Sequence, residues 1–326
     1  MAMRINVLAL DDVFDLGLAA VLDTLSTAND LAAALPDVAG EPFRIKTVGL
    51  RRRVRTHHGL LVPVESVARQ RRPDIVIVPA LGVKTPETVV AALERNDVAD
   101  AGELLVKWSQ RGSRTCAACG GTFVLASTSL LDGETATTTW WLAPLFRERF
   151  PKVRLDDSRM VVVSGNSVTA GAALAHLDLA LWIVRQRSPQ LANLVARYLM
   201  VDPRPSTAVY AIPDHLAHAD PIVEQFEQWA RKSLATPFSL GDAARSVGTS
   251  QRTLARRMRK VLGKSPVSYV QELRVQRAVH LLRTSDSSVD DIATMVGYSD
   301  GVTLRNLLRK KTGRGIKELR HDWSPS

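Results

Sequence analysis

The sequence predicts a mixed chain: an α/β domain built on a parallel sheet sandwiched by helices, followed by an all-α domain with two helix-turn-helix motifs. Three observations carry this. Strand-like and helix-like runs alternate through the first two hundred residues, one helix-turn-helix pattern occurs twice between Phe238 and Leu319, and the positive charge gathers in that second region. Alternation of strands with helices implies a sheet covered on both faces, with functional groups at the carboxyl ends of its strands. The expected division is 1–188 for the first domain, 189–219 for a linker and 220–326 for the second domain, with the motifs at 239–263 and 288–313.

Taken in order, Arg4 to Leu10 reads as a buried strand, Asp15 to Leu35 as a helix, and Phe43 to Leu50 and Asp74 to Pro79 as strands. Ala99 to Arg111 reads as a helix, Arg114 to Ala118 as a strand, and Gly121 to Leu131 and Trp140 to Phe150 as helices. Met160 to Ser164 is the last expected strand and Gly171 to Arg187 the last helix of the domain. From Ser188 to Pro237 the chain is punctuated by proline, which marks a connector. Helical stretches remain at Gln190 to Met200 and Asp220 to Leu234. The second of these carries Ile222, Val223, Phe226, Trp229 and Ala230, an apolar set that belongs either to the second domain's core or to a hinge. His215 and His218 in the connector read as solvent-exposed.

The sharpest point in the first half is R-T-C-A-A-C-G-G-T from Arg114. A strand runs directly into a helix there, and small residues (Ala118, Gly120, Gly121) surround Cys119. A strained strand-to-helix turn that presents one side chain above the sheet needs such neighbours. The helix amino terminus would favour a thiolate. Cys116 and Cys119 also form C-x-x-C, which fits a redox pair or half a zinc site. A second pair of zinc ligands is missing, His57 and His58 read more simply as a turn, and a buried strand would point Cys116 away from Cys119. No metal and no cofactor are expected.

In the second half the copies run from Ser239 to Gly263 and from Ser288 to Gly313. Superposed, Ala244 meets Ala293, Val247 meets Val296, Gly248 meets Gly297 and Ser250 meets Ser299. After one inserted residue Leu254 meets Leu304 and Met258 meets Leu308, which makes an internal repeat. Each copy has a short amphipathic helix, a glycine suited to positive φ, a three-residue turn and a second helix with apolar residues at helical spacing. Ser250 and Ser299 are expected as N-caps. Between the copies, Tyr269, Leu273, Ala278, Leu281 and Leu282 give a connecting helix an apolar stripe that would hold both in one core.

The net charge of +10 is unevenly spread. From Ala235 onward there are 17 Lys and Arg against 8 Asp and Glu, whereas the preceding residues carry 26 against 25. Such asymmetry is the footprint of a nucleic-acid binder, although a solvated basic face reads the same way by itself. No run approaches a membrane span and no secretory signal is evident, so a cytoplasmic protein is expected.

The second half resembles the AraC family of bacterial transcription regulators. The matching residues include G-K-S-P-V-S-Y from Gly263, Arg274, Leu281 with Leu282, I-A at Ile292 and G-Y-S-D from Gly297. One departure is visible: relatives usually carry aromatic, Arg and aromatic residues where this chain has Leu304, Asn306 and Leu308. The resemblance implies binding of double-stranded DNA, contact with RNA polymerase and, by family habit, activation. For base edges or nearby phosphate the candidates are Gln251, Arg252, Thr253 and Arg256 in the first reading helix, with Arg257 on the backbone or in the core. Gly301, Thr303 and Arg305 are the candidates in the second, and Ser250 and Ser299 would cap and touch phosphate.

The first half resembles the class I glutamine-amidotransferase-like superfamily, in the branch of intracellular proteases and deglycase-like proteins. The elbow at Cys119, L-L-D-G-E-T-A-T-T-T-W from Leu130, F-P at Phe150 and T-A-G from Thr169 sit in that family's order. This implies a flavodoxin-like sheet and pairing into a homodimer. Active relatives carry a His just before the Trp, where this chain has Thr139, and a carboxylate in the first helix, where this chain has Gly17 with Asp15 nearby. A thiol without base and carboxylate is a poor hydrolytic centre, so the expected pocket is a pseudo-enzyme one with no catalytic residue. Regulators that pair these two domains respond in some cases to quaternary amines or basic amino acids. The ligand candidates are therefore Asp15, Cys119, Gly120, Trp140 and Trp141, the tryptophans being either core aromatics or the walls of a cage for a cation. The alternatives kept are a thiol-dependent hydrolase or deglycase and a redox-responsive regulator.

Overall fold

The computed structural model describes residues 2–35, 40–201 and 220–321. It divides into two compact units, Met1–Thr207 and Ala208–Ser326. His215, His218 and most of the expected linker fall outside the described residues.

The first unit contains β1 (Met3–Leu8), α1 (Asp15–Ala32), β2 (Phe43–Gly49), β3 (Arg53–Arg55), β4 (Leu61–Pro63), β5 (Glu65–Ser66), β6 (Ile75–Val78), α2 (Pro86–Leu93) and α3 (Asn96–Gln110). There follow β7 (Arg114–Ala118), α4 (Gly121–Ser127), β8 (Thr135–Ala136), α5 (Ala143–Arg149), β9 (Arg154–Leu155), β10 (Val161–Ser164), β11 (Ser167–Ala170), α6 (Ala175–Arg187) and α7 (Pro189–Tyr198). Seven strands form the main sheet in the order β10-β11-β7-β6-β1-β2-β5.

Sequence explains why β1, β6 and β7 sit centrally. Beyond a half-buried start in β1 and β7, each is a continuous buried run, as a strand covered on both faces requires. Alternate residues feed two cores. Ile5, Val7, Ile75, Ile77 and Cys116 join Val21, Leu25, Leu179 and Ile183 of α1 and α6, while Leu8, Val76, Val78 and Ala117 join Val98, Leu105, Phe123 and Phe146 on the other side. A fully buried side chain of this kind contributes about 1.5–3 kcal/mol. In α1 the core-facing set Leu18, Val21, Leu25, Ala28 and Ala32 keeps strict helical spacing, so that helix is legible locally.

Three features depart from the sequence expectation. The sheet is mixed, because β10 runs antiparallel to β11 (Val162 opposite Thr169) although β11 is parallel to β7. The strand β11 itself is unexpected: Ser167–Ala170 is short and rich in small polar residues, yet every position is buried between two neighbours. The stretch expected as one helix from Trp140 to Phe150 opens with a 3₁₀ turn, Trp140–Leu142, before α5 begins.

The second unit is helical: α8 (Pro221–Lys232), α9 (Leu240–Ser246), α10 (Gln251–Leu262), α11 (Pro266–Thr284), α12 (Val289–Met295), α13 (Gly301–Thr312) and α14 (Ile316–His321). The choice left open for Phe226 resolves in favour of the core of this unit. Its fully buried ring lies 5.9 Å from Tyr269 of α11 and 6.5 Å from Phe238, between centroids. Asp220 starts α8 by accepting hydrogen bonds from the N–H groups of Ile222 (2.9 Å) and Val223 (3.3 Å). The far end of α11 packs Val275, Ala278, Val279 and Leu282 against Ile292, Val296, Leu304 and Leu308 of α12 and α13.

Candidate functional site

At the carboxyl end of β7 the backbone turns sharply into α4 through Cys119, whose φ is +53°. A non-glycine residue pays of order 1–3 kcal/mol for such a conformation, so it persists where neighbours over-determine it. They do so here: the Cys119 N–H donates to the Ala170 carbonyl (2.8 Å), and the Cys119 carbonyl accepts from the Thr138 hydroxyl (2.8 Å) and the Thr122 N–H (3.2 Å). The elbow expected from the sequence is therefore present, held by β11 and by the threonine run.

The thiol at its tip is not activated. Cys119 is only 7% exposed. Burial pushes its pKa up to about 11, against the smaller downward pull of the Gly120 N–H and the Thr139 hydroxyl. Thr139, standing where relatives carry a base, is fully buried and its hydroxyl is not aligned for a regular hydrogen bond to any described protein group. Cys116 lies in the α1 and α6 core, pushed up to about 12 by burial, and both cysteines are free thiols. The two side chains belong to different environments of the strand end.

The position of the missing carboxylate is filled. A methyl group on Gly17 would fall 2.6 Å from His176 Nε2 and 2.8 Å from His176 Cε1. The His176 imidazole, from the first turn of α6, thus takes the space above Gly17. It is neutral, since burial lowers its pKa to about 4 against the upward pull of the Ala173 carbonyl. Its Nδ1–H donates to that carbonyl (2.6 Å) and its Nε2 accepts from the Ala80 N–H (3.0 Å), which fixes the tautomer and occupies both nitrogens. A histidine so committed has no lone pair free for a thiol. Sequence reasoning passed over His176 inside A-H-L-D-L-A-L, because nothing local says that this side chain fills the first helix's vacancy.

Around the same strand ends Asp15 is engaged by His58, whose ring Nδ1 lies 2.8 Å away and whose backbone N–H donates over 3.2 Å. Burial raises the Asp15 pKa, but hydrogen bonds from Thr56 and from the His58 side chain and backbone outweigh it and hold the carboxyl at about 2. His57 pairs with Asp12 in parallel (2.8 Å). The two histidines are thus a turn, as the sequence suggests, clamped by two carboxylates. Trp140 and Trp141 meet edge to face with centroids 5.4 Å apart. Trp141 packs on the α3 and α4 side of the sheet, so its ring is tied to the core, while Trp140 is half-buried beside Thr139. Gly120 follows Cys119 in the elbow, and a methyl group added to it would meet the Leu81 carbonyl oxygen and Val83 only at ordinary contact distance. Among the described residues no group of three His, Cys, Asp or Glu side chains is placed to hold a metal ion, and no helix is long and apolar enough to cross a membrane.

In the second unit the reading helices α10 and α13 present their amino-terminal halves outward. Ser250 caps α10 as expected, its hydroxyl accepting from the Thr253 N–H (3.1 Å). A cap of this kind is worth about 1 kcal/mol. Gln251, Arg252 and Arg256 are exposed, and neither arginine has a protein partner among the described residues. Two other expectations are corrected. The cap of α13 is Asp300 rather than Ser299: the Asp300 carboxylate accepts from the Thr303 N–H (2.7 Å) and hydroxyl (2.9 Å), and Ser299 merely donates to it (3.0 Å). Gly301 is buried and its N–H is already given to Asp290 Oδ1 (2.9 Å), so that donor is not available to a ligand. Of the two places left open for Arg257, the protein side is the one occupied: it binds Asp220 (2.9 Å), tying α10 to the start of α8. Arg305 is half-exposed with its Nη2 4.0 Å from Asp290, and Val302 and Asn306, not among the expected contacts, are exposed beside it.

Arg274 ties the segment between α8 and α9 to the turn of the second motif. From α11 it donates to the carbonyls of Leu234 (3.1 Å) and Thr236 (2.6 Å), and its guanidinium lies 5.1 Å from the ring centroid of Tyr298 in the second turn. Gly297, with φ of +80°, makes room for it; a methyl group there would fall 2.4 Å from the Leu234 carbonyl oxygen.

Comparison with known proteins agrees with this two-part architecture. Residues 3–186 match the DJ-1/PfpI family, and residues 243–322 match a helix-turn-helix domain. The chain is similar to the HTH-type transcriptional regulator GbdR of Pseudomonas aeruginosa, 26% identical over 300 residues that span 90% of this chain and 77% of that protein. It is similar also to the HTH-type transcriptional regulator ArgR of the same organism, 29% identical over 224 residues, 68% of each. Among solved structures, an AraC family transcriptional regulator from Pseudomonas putida shares the fold, with a TM-score of 0.50 at 20% identity, over 60% of this chain and 99% of that one.

Proposed function

Since this chain belongs to the DJ-1/PfpI family through residues 3–186 and carries an AraC-type helix-turn-helix region behind it, we propose that its first unit is a catalytically silent sensor governing how the second engages DNA. The protein is a helix-turn-helix transcription regulator with a small-molecule effector. Beyond that class, one observation carries the reading of a silent sensor: His176 fills the space over Gly17 with both nitrogens committed, while Cys119 keeps its proton. Acyl transfer needs an activated nucleophile and a proton acceptor, and this arrangement supplies neither.

The effector class we favour is an amine or amino acid. Trp140 offers a half-buried aromatic face close to the elbow, and Asp15 remains an anion throughout the physiological range. Effector binding then biases the protein between arrangements, which requires the ligand to prefer one of them. Pairing of two copies through the first unit, recruitment of RNA polymerase, activation rather than repression and a cytoplasmic location complete the proposal.

Thermal melting of the full-length protein against amino acids and quaternary amines tests it. At a hundred times its dissociation constant an effector adds about 2.7 kcal/mol of stability. The expected outcome is an equal shift in wild type and Cys119→Ala, and a reduced one in Trp140→Ala. A shift or a covalent mass change that needs Cys119 would replace the silent sensor with a thiol-dependent one.

A further inference from the structure

The two reading helices superpose from their caps, Ser250 on Asp300, and this register sets unlike side chains on equivalent outward positions. Two and six residues into α10 stand Arg252 and Arg256; at the same places in α13 stand Val302 and Asn306. In each pair the residues are four apart and share one helix face. All four are exposed, and the three polar ones have no hydrogen-bonding partner among the described residues. Val302 is 61% exposed, although the same helix buries Leu304 and Leu308 completely. The one arginine in the first half of α13, Arg305, is drawn toward Asp290 of α12, and the equivalent place in α10 is Ala255.

Base edges in the major groove discriminate among such side chains. Arginine pairs with the two acceptors of guanine, asparagine with the donor and acceptor of adenine, and an apolar side chain packs on the thymine methyl. We propose that the two helices read different chemistry: α10 a guanine-bearing half-site through Arg252 and Arg256, and α13 an adenine- and thymine-bearing half-site through Asn306 and Val302. The segment read by one second unit is then asymmetric in composition, and that unit binds it in one direction only. This rests on the DNA-binding reading given above and adds to it the specificity of each helix. It also gives Val302 a reason to be exposed, since an apolar side chain there has no task inside the protein.

Selection from a randomised duplex library by the full-length protein, followed by affinity measurements on the enriched sequence, tests the proposal. The enriched site should show two conserved segments about one helical turn apart, one guanine-dependent and one adenine- and thymine-dependent. Asn306→Ala should weaken it about five- to a hundredfold, the range of one bidentate pair, and lose nothing further when the cognate adenine is replaced. Uracil in place of thymine should weaken wild type more than Val302→Ala, whose side chain has less apolar surface to set against the methyl, and Asn306→Arg should move the preference of that segment toward guanine. Since both positions are exposed, an unchanged melting temperature confirms folding of each variant. Guanine dependence in both segments, or an Asn306→Ala loss that is equal for every base, overturns the assignment while leaving the protein a specific DNA binder. A library without any enriched sequence overturns the DNA-binding reading as well.

Discussion

At the elbow, Cys119 is 7% exposed with its pKa at about 11, and His176 is fully buried with both ring nitrogens given to backbone groups. On the reading helices Arg252 and Arg256 face solvent with no protein partner among the described residues. Both regions carry residue types associated with chemistry, and only one leaves them available. The difference teaches that a nucleophile or base marks a site when its lone pairs and protons are uncommitted, and marks a structural device when the fold has already used them. Within the reading helices the same distinction recurs one residue apart. Arg256 has no partner among the described residues, whereas Arg257 binds Asp220.

The contrast would break most completely if the scaffold under the free side chains failed. Gly297→Ala puts a methyl group 2.4 Å from the Leu234 carbonyl oxygen and 2.6 Å from Arg274 Nη2, at a φ of +80°. We expect a loss of about 3 kcal/mol in the second unit, from left-handed strain and displacement of Arg274, seen as a lower denaturant midpoint with loss of DNA binding.

A comparable effect, reached through pH, would sharpen the picture of the committed side. The folded pKa of His176 is lowered to about 4 from an ordinary 6.5, so the unfolded chain takes up the proton first as the pH falls. The stability that rests on the neutral imidazole is therefore intact above pH 6.5 and lost between 6.5 and 4, by on the order of 3 kcal/mol in all. Denaturant titrations of wild type and His176→Gln across that range check it. The variant should be less stable at neutral pH but should lack this share of the acid slope.

The smallest expected change separates Arg252 from Arg257 on the same helix. Arg252→Ala should leave the melting temperature within a degree or so while weakening a specific duplex by about ten- to a hundredfold more than random DNA. Arg257→Ala should do the reverse, lowering stability modestly and affecting specific and random DNA alike. Equal behaviour of the two variants would erase the distinction drawn between them.

Local rules were sufficient for much of this molecule. The periodicity of α1, the pattern within each copy of the repeat and the Ser250 cap depend on residues within a few positions of one another, and the small residues around Cys119 mark its turn, so the sequence displays them. Tertiary structure decided the rest. Where Arg257 points and why Ser167–Ala170 is an interior strand depend on neighbours that local pattern does not specify. The vacancy over Gly17 is the clearest case, because the side chain that fills it lies in α6, far along the chain. A sequence reports what a residue is able to do; the chain's long-range packing reports whether its hydrogen-bonding capacity and its exposure have already been spent.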